Sequence, residues 1–420
     1  MFETTVLDNG LRVLTATMAH LRSVSVGIFI GAGSRYEDDT HAGISHFVEH
    51  MLFKGTERRP QPRDISAAIE SVGGIINAST DRELTVYWAK VARPHFHIAF
   101  DVLMDIVRHP TLDPEALELE RKVVFEELSM TNDEPREKVD VLIDGLLWPN
   151  QPMGRDVGGT KESVAGITRE MLREYMACQY VPGNAVVAVA GNVAHAEVVD
   201  VVTQSLGDWA PGIPLEWYPA VDGQTGPRLA VEYRKTEQAH LCLAVQGLPS
   251  THPDRYALSL LSAVLGEGMS SRLFVEMREK QGLAYDVHSS TSHFRDCGSV
   301  VVYAGVDPKR LDRAVETILR ELGRLRDGVP AEELAKVKEL LKGRLLLRME
   351  DSRAVAGWLG AQEMLLGRVL TPEQVVERID SVTLDDLARV AGGLVLNEKL
   401  NLAVVGPCRS QVRFQRILSL

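Results

Sequence analysis

Two histidines and a glutamate lie within five consecutive residues, His46-Phe47-Val48-Glu49-His50. On a helix, residues three and four positions apart share a face, so His46 and His50 can offer both imidazoles to one metal ion beside Glu49. Catalytic zinc sites use three nitrogen or oxygen ligands from the protein and one water molecule. The metal lowers the pKa of this water to about 7, and a nearby carboxylate can take its proton and pass it to a leaving amine. The stretch therefore predicts a hydrolytic zinc site with Glu49 as general base.

A third metal ligand is expected from a helix predicted over residues 113–130. This segment starts with Asp-Pro-Glu, which is typical of a helix N-terminus. Glu120 and Glu127 are seven residues apart, so they lie two turns apart on one face, and Glu126 precedes Glu127. The residues themselves leave open which of these carboxylates meets the histidines.

The elements that must position these residues are a helix and a sheet. The motif helix is predicted over residues 42–53, and its apolar side should pack on a sheet. Strands are predicted from 23 to 30 and from 84 to 91. The segment Asp8-Asn9-Gly10 is a strong turn signal and predicts an N-terminal hairpin.

Bulk properties exclude several classes of protein. The 420 residues are 45% hydrophobic and 25% charged, as in ordinary globular proteins, and the net charge of −12 argues against nucleic-acid binding. No apolar stretch of about 20 residues predicts a membrane span, and no signal peptide is expected. The four cysteines are scattered, so we expect reduced thiols and a cytoplasmic protein. They are Cys178, Cys242, Cys297 and Cys408.

The chain contains a diverged internal duplication. Thr168, Leu172 and Gly191 recur 215 positions later as Thr383, Leu387 and Gly406. We therefore predict an α+β protein of two similar α/β domains, each a mainly antiparallel sheet covered by helices. The expected boundaries are 1–210 for the first domain, 211–228 for a linker and 229–420 for the second domain.

The second copy lacks the metal residues. Positions 215 residues after His46, Glu49 and His50 hold Leu261, Val264 and Leu265. We therefore expect one metal site per chain, in the first domain.

The motif histidines followed by Glu120 and Glu127 resemble the pitrilysin and insulinase family of zinc peptidases (peptidase family M16), whose inverted His-x-x-Glu-His order is a known signature. The closer similarity is to the short-chain branch, which includes bacterial peptidases and the mitochondrial processing peptidase. The resemblance implies that Glu127, 77 positions after His50, is the third zinc ligand. It also implies that Glu120 supports the ligands without binding zinc, and that the two domains face each other across a chamber.

Two further stretches carry the same resemblance. Gly73-Gly74-x-x-Asn77-Ala78-x-Thr80 is similar to an edge strand that pairs with the backbone of an extended peptide, and this implies substrate contacts at Asn77 and Ala78. In the second domain, Arg278 and Tyr285 match an Arg-x-x-x-Gly-Leu-x-Tyr element that holds the substrate carbonyl in relatives. A Tyr hydroxyl and an Arg guanidinium are suitable donors for a developing oxyanion.

The main hypothesis is therefore a zinc metalloendopeptidase with one Zn²⁺ per chain, acting on peptides or unfolded segments. Short-chain relatives commonly work as pairs, so the resemblance also implies a homodimer. An alternative is a non-catalytic structural or binding subunit of a peptidase-like complex. A third interpretation, a metal-dependent hydrolase of non-peptide substrates, remains open. The net charge of −12 suggests a preference for basic peptides.

Overall fold

A computed structural model describes residues 2–420. The first half of the chain forms the following helices and strands: β1 (Glu3–Val6), β2 (Arg12–Thr17), β3 (Ser23–Ile30), α1 (Ile44–Leu52), α2 (Pro62–Glu70), β4 (Ile75–Thr80), β5 (Thr85–Ala92), α3 (Phe96–Arg108), α4 (Pro114–Asp133), α5 (Pro135–Leu147), α6 (Lys161–Gly166), α7 (Arg169–Gln179), β6 (Ala185–Gly191) and α8 (His195–Leu206).

The second half forms a matching series: β7 (Arg228–Tyr233), β8 (Ala239–Gln246), α9 (Arg255–Gly266), β9 (Ala284–His293), β10 (Gly298–Val306), α10 (Leu311–Asp327), α11 (Ala331–Arg348), α12 (Ser352–Leu366), α13 (Pro372–Ser381), α14 (Leu384–Leu394), β11 (Asn401–Gly406) and α15 (Val412–Ile417).

Each half contributes one sheet, and the two sheets have the same core topology. The first runs β1-β2-β6-β3-β5-β4 and the second runs β7-β11-β8-β10-β9. In each sheet one pair is parallel, β2 with β6 and β7 with β11, and the other pairs are antiparallel. The first sheet adds the hairpin strand β1, whose turn places Gly10 at φ 90°. The predicted fold of two similar, mainly antiparallel α/β halves is therefore confirmed.

The compact units do not follow the chain as two contiguous segments. The first unit comprises residues up to 128, 156–218 and 346–371, and the second comprises 129–155, 219–345 and 372–420. Helix α5 thus packs on β8 and β11 of the second sheet, and α12 packs on β3 and β6 of the first. The domain boundaries predicted from the sequence, 1–210 and 229–420, did not include this exchange of helices. They describe the extent of the two duplicated halves of the sequence, and for that they stay a prediction.

The first sheet is covered on both faces. One face packs against α1, α3, α7 and α8 around a large apolar core, and the other packs against α12. The apolar side of α1 is fully buried in the first of these cores, as its pattern predicted. Its buried residues are Ile44, Phe47, Val48, Met51 and Leu52. Since this side is held by the core, the opposite side of α1 is presented in a defined orientation. Within residues 2–420, no helix combines the length and apolar character needed to cross a membrane.

Candidate metal centre

The N-terminus of α1 is held by a buried carboxylate from outside the helix. The backbone amides of Gly43 and Ser45 donate hydrogen bonds of 2.8 Å to the two carboxylate oxygens of Glu37. Glu37 is only 2% exposed. Gly43 adopts φ 91°, and a Cβ there would meet the carbonyl oxygen of Gly158 at 2.4 Å, so only glycine suits this position. Sequence reasoning missed Glu37 because its partners are backbone amides six and eight residues away.

Three side chains converge on one point above α1. Nε2 of His46 and Nε2 of His50 lie 3.1 Å apart. A carboxylate oxygen of Glu127, from α4, lies 3.4 Å from Nε2 of His50 and 3.8 Å from Nε2 of His46. All three ligand atoms lie within 4.8 Å of one another. Glu126, the neighbouring residue, does not belong to this group.

The spacing fits a tetrahedral zinc ion. Zinc binds imidazole nitrogen and carboxylate oxygen at about 2.0–2.2 Å, so two ligand atoms of a tetrahedron lie about 3.3 Å apart. The three distances above bracket this value. Two histidines and a glutamate are also a ligand set of catalytic zinc, which leaves the fourth position for water.

Glu120 contacts the far side of one imidazole. Its Oε1 lies 2.9 Å from Nδ1 of His50, and its Oε2 lies 2.6 Å from the ammonium of Lys54. The hydrogen bonds from His50 and Lys54 outweigh burial and lower the pKa of the Glu120 carboxyl. An ionised carboxylate only accepts, so Nδ1 of His50 carries the proton and its Nε2 keeps a lone pair for a metal.

Burial and neighbouring charges shift the pKa values of the two histidines in opposite directions. Burial, with the charge of His50, lowers the pKa of His46 to about 4, which keeps this imidazole neutral. Burial also opposes the charged form of His50, but the hydrogen bond to Glu120 and the carboxylates of Glu127 and Glu49 raise its pKa. In the metal-free protein the charged, doubly protonated form of His50 is therefore favoured. A divalent cation bound at the site would replace the positive charge of that additional proton.

Glu49 is oriented by the last residue of strand β4. The hydroxyl of Thr80 donates a 2.7 Å hydrogen bond to Oε2 of Glu49. Burial raises the pKa of the Glu49 carboxyl, although Thr80 and His50 favour its charged form. A carboxylate with a raised pKa is better suited to take and return a proton near neutral pH.

Strand β4 also carries Asn77 and Ala78. Among residues 2–420 it is the terminal strand of its sheet and pairs with β5 alone, so its other edge is unpaired within the sheet. The side chain of Asn77 accepts a hydrogen bond from the backbone amide of Ala78 at 2.8 Å. The strand thus offers a free edge that ends beside Glu49.

Arg278 and Tyr285 lie in the second unit. The guanidinium of Arg278 is 4.4 Å from the centre of the Tyr285 ring and donates to the Tyr285 carbonyl oxygen at 3.0 Å. The Tyr285 side chain is 76% exposed. Arg278 belongs to a π-helical segment, Phe274–Lys280. Leu261, Val264 and Leu265 are buried in α9, so this helix carries apolar side chains at the positions that correspond to His46, Glu49 and His50 of α1.

The family models that match this chain both describe peptidase family M16. The sequence model of the family described as insulinase (peptidase family M16) matches residues 12–161, and that of the peptidase M16 inactive domain matches residues 166–341. The chain is 37% identical to the uncharacterized zinc protease YmxG of Bacillus subtilis, over 95% of this chain and 97% of that protein. It is 38% identical to an uncharacterized zinc protease of Mycobacterium leprae, over 99% of this chain and 94% of that protein.

Solved structures share the fold. A protease from Helicobacter pylori superposes with a TM-score of 0.90 at 24% identity, over 97% of this chain and 99% of that one. A chain of complex III from Candida albicans superposes with a TM-score of 0.85 at 22% identity, over the full length of both chains.

Proposed function

This chain belongs to the insulinase family of peptidases, family M16, and on that premise we propose that it is a zinc-dependent endopeptidase acting on peptides or unfolded segments. The observation that carries the proposal is the convergence of His46, His50 and Glu127 beside Glu49. These residues offer three donor groups suited to zinc and a proton acceptor beside them, a combination that suits hydrolysis of a peptide bond.

Each residue of the centre has a distinct role in the proposed hydrolysis. Zinc held by His46, His50 and Glu127 would supply Lewis acidity to the site and make a water molecule there more acidic. Glu49 takes a proton from the attacking water and later delivers it to the leaving amine. Thr80 holds the Glu49 carboxylate in one orientation through its hydrogen bond. Glu120 fixes the tautomer and ring orientation of His50.

The free edge of β4 suits an extended peptide. An added strand would form main-chain hydrogen bonds along Asn77 and Ala78, and such bonds require little of the peptide sequence. Because β4 ends beside Glu49, a peptide held along it would reach the proton acceptor. For Arg278 and Tyr285 we keep the role that the resemblance implies, contact with the substrate carbonyl; the exposure of Tyr285 is compatible with it. We also propose a homodimer, which a solution mass near 46.3 kDa would contradict.

The first test is zinc content and turnover of a diverse peptide library by the purified protein and by Glu49→Gln. We expect one zinc per chain, turnover that a chelator abolishes and zinc restores, and a variant that keeps zinc but loses turnover. Near-normal turnover in the variant would remove Glu49 from the mechanism. A zinc-loaded protein that cleaves no peptide would favour the alternative, a non-catalytic binding subunit, and absence of zinc binding would contradict the proposed centre.

A further inference from the structure

A cavity of about 410 Å³ lies on the first sheet, on the face opposite to the metal helix. Its floor is formed by β3, β4 and β5, and its other wall is the start of α12 with the residues just before it. The volume is within the range of small-ligand pockets, about 300–1,000 Å³. None of the residues assigned above to zinc or to proton transfer lines it.

The pleat of β4 separates the cavity from the metal centre. Ile76, Ala78 and Thr80 point to the face that packs against α1, where the first two contact the core and Thr80 contacts Glu49. The alternate residues point to the opposite face, and of these Ser79 lines the cavity. A peptide paired with β4 would alternate in the same way, so every second side chain would lie on the side of the cavity.

One row of cross-strand neighbours leads from the cavity to the free edge. Gly27 of β3 is opposite Trp88 of β5, and Trp88 is opposite Asn77 of β4. A peptide residue opposite Asn77 would be the next member of the row, about 9.6 Å from the backbone of Trp88 at the usual strand spacing of about 4.8 Å. A side chain with a polar group at its end can bridge much of this distance.

Two guanidinium groups at the cavity have no acidic partner among residues 2–420. The guanidinium of Arg353 stacks over the Trp88 ring at 3.7 Å, which leaves its N–H donors in the plane free to point outward. Arg348 also lines the cavity, and no hydrogen bond or ion pair engages its side chain in the described part of the chain. Both residues are exposed, so a ligand can reach them.

The acidic residue that lines the cavity is already engaged. Asp351 accepts a 2.5 Å hydrogen bond from the ammonium of Lys90 and a 3.0 Å bond from the backbone amide of Ala354, where it caps α12. The hydroxyls of Ser25 and Ser352, 2.9 Å apart and buried, fix the same end of the helix to β3. These hydrogen bonds therefore fix the cavity wall that the start of α12 forms. Arg353 and Arg348 give the cavity a positive charge that no acidic partner within residues 2–420 neutralises.

We propose that this cavity is a substrate subsite that selects a carboxylate on the peptide bound along β4, with Arg353 and Arg348 as the recognising groups. This inference rests on the proposed peptidase function and names its substrate class. Guanidinium groups bind carboxylates through paired, charge-assisted hydrogen bonds. The local charge thus points to acidic peptides, whereas the net charge of −12 had suggested basic ones. The carboxylate can come from a glutamate or aspartate side chain, or from the C-terminus of a short peptide.

The test compares matched peptides that carry one glutamate, glutamine or lysine at each position around the scissile bond, with a free or an amidated C-terminus. We expect kcat/KM to be about tenfold higher for glutamate than for glutamine at one position, with the advantage reduced at high salt. An advantage of the free acid over the amide, without an effect of internal glutamate, would identify the C-terminus as the source. The variant Arg348→Glu/Arg353→Glu should reverse the preference towards lysine.

The control is Arg63→Glu, which makes the same kind of charge change at an exposed site at the start of α2 and should keep the wild-type preference. Chelator-sensitive cleavage with equal rates for all three side chains and both termini would overturn the subsite while the peptidase function stands. If the wild type cleaves no peptide, binding of the same peptides to zinc-loaded Glu49→Gln protein decides the matter. Equal binding of glutamate and glutamine peptides there would also overturn the subsite, and discrimination that the double variant abolishes would support it.

Discussion

The Nδ1 atom of His50 lies 2.9 Å from Oε1 of Glu120, on the side of the imidazole opposite to the nitrogen that meets His46. The contact defines which nitrogen carries the proton, and Lys54 keeps the carboxylate charged. In the proposed zinc centre, Glu120 would thus prepare a ligand without binding the metal itself.

Removal of Glu120 should weaken zinc binding without abolishing it. We expect Glu120→Ala to lower zinc affinity about 10- to 100-fold, because His50 loses the partner that fixes its tautomer. Glu120→Gln should be milder, since the amide oxygen can still accept from Nδ1. Competition with a calibrated chelator measures both. Wild-type affinity in the alanine variant would show that the contact has no effect on the metal.

Two adjacent glutamates should differ sharply. We expect Glu127→Ala to lose zinc and turnover, because its carboxylate is one of the three converging ligands. Glu126→Ala, its matched control, should keep both, since Glu126 is exposed and outside the group. Zinc stoichiometry and peptide turnover of the two variants give the comparison. A zinc-loaded Glu127→Ala protein would mean that another residue supplies the third ligand.

Thr80 should act on turnover through the orientation of Glu49. We expect Thr80→Val to lower kcat about tenfold, the effect of one lost hydrogen bond to a charged group, while zinc content is unchanged. Thr80→Ser retains the hydroxyl and should restore most of the rate. Steady-state kinetics separate kcat from KM. A valine variant that raises only KM would assign Thr80 to substrate binding instead.

Glu37 should stabilise α1 in the metal-free protein. Its buried carboxylate accepts two backbone hydrogen bonds at the start of α1, so Glu37→Ala leaves both amides without this acceptor. We expect a loss of about 2–4 kcal/mol in the free energy of unfolding of the metal-free protein. Urea denaturation measures it, with Glu70→Ala at an exposed site as control. Equal midpoints for both variants would contradict this role.

His293 should make the protein less stable as the pH falls. Burial lowers the pKa of His293 below its ordinary 6.5, although the hydrogen bond to the carbonyl oxygen of Leu248 favours the charged form. Below about pH 6.5 the unfolded chain therefore takes up a proton that the folded chain does not, and stability decreases with falling pH.

The loss should be fully present only below the folded-state pKa of His293, and it should disappear as the pH rises above about 6.5. His293→Gln should show a smaller difference in unfolding free energy between pH 7.5 and pH 5.5 than the wild type. His20→Gln, at an exposed histidine, serves as control. The same difference in all three proteins would rule out His293 as the source.

The local features of this protein could be predicted from the amino-acid sequence alone. The spacing of His46, Glu49 and His50 and the apolar residues between them predicted a helix with a metal-binding side, and α1 has that form. The Asp-Asn-Gly turn, the strands around the motif and the repeat after about 215 residues were also readable. These features depend on hydrogen bonds and side-chain periodicity over a few residues, which the local sequence carries.

The other features became visible in the folded chain. Three glutamates on α4 were open from spacing alone, and the packing of α4 brings Glu127 to the imidazoles and Glu120 to the far side of His50. Three other features could not be predicted from the sequence either. They are the exchange of α5 and α12 between units, the hydrogen bonds from the start of α1 to Glu37, and the cavity lined by Arg353. The physical reason is that each depends on contacts between residues distant in the chain, and no local pattern records which apolar face or which buried amide a segment will meet.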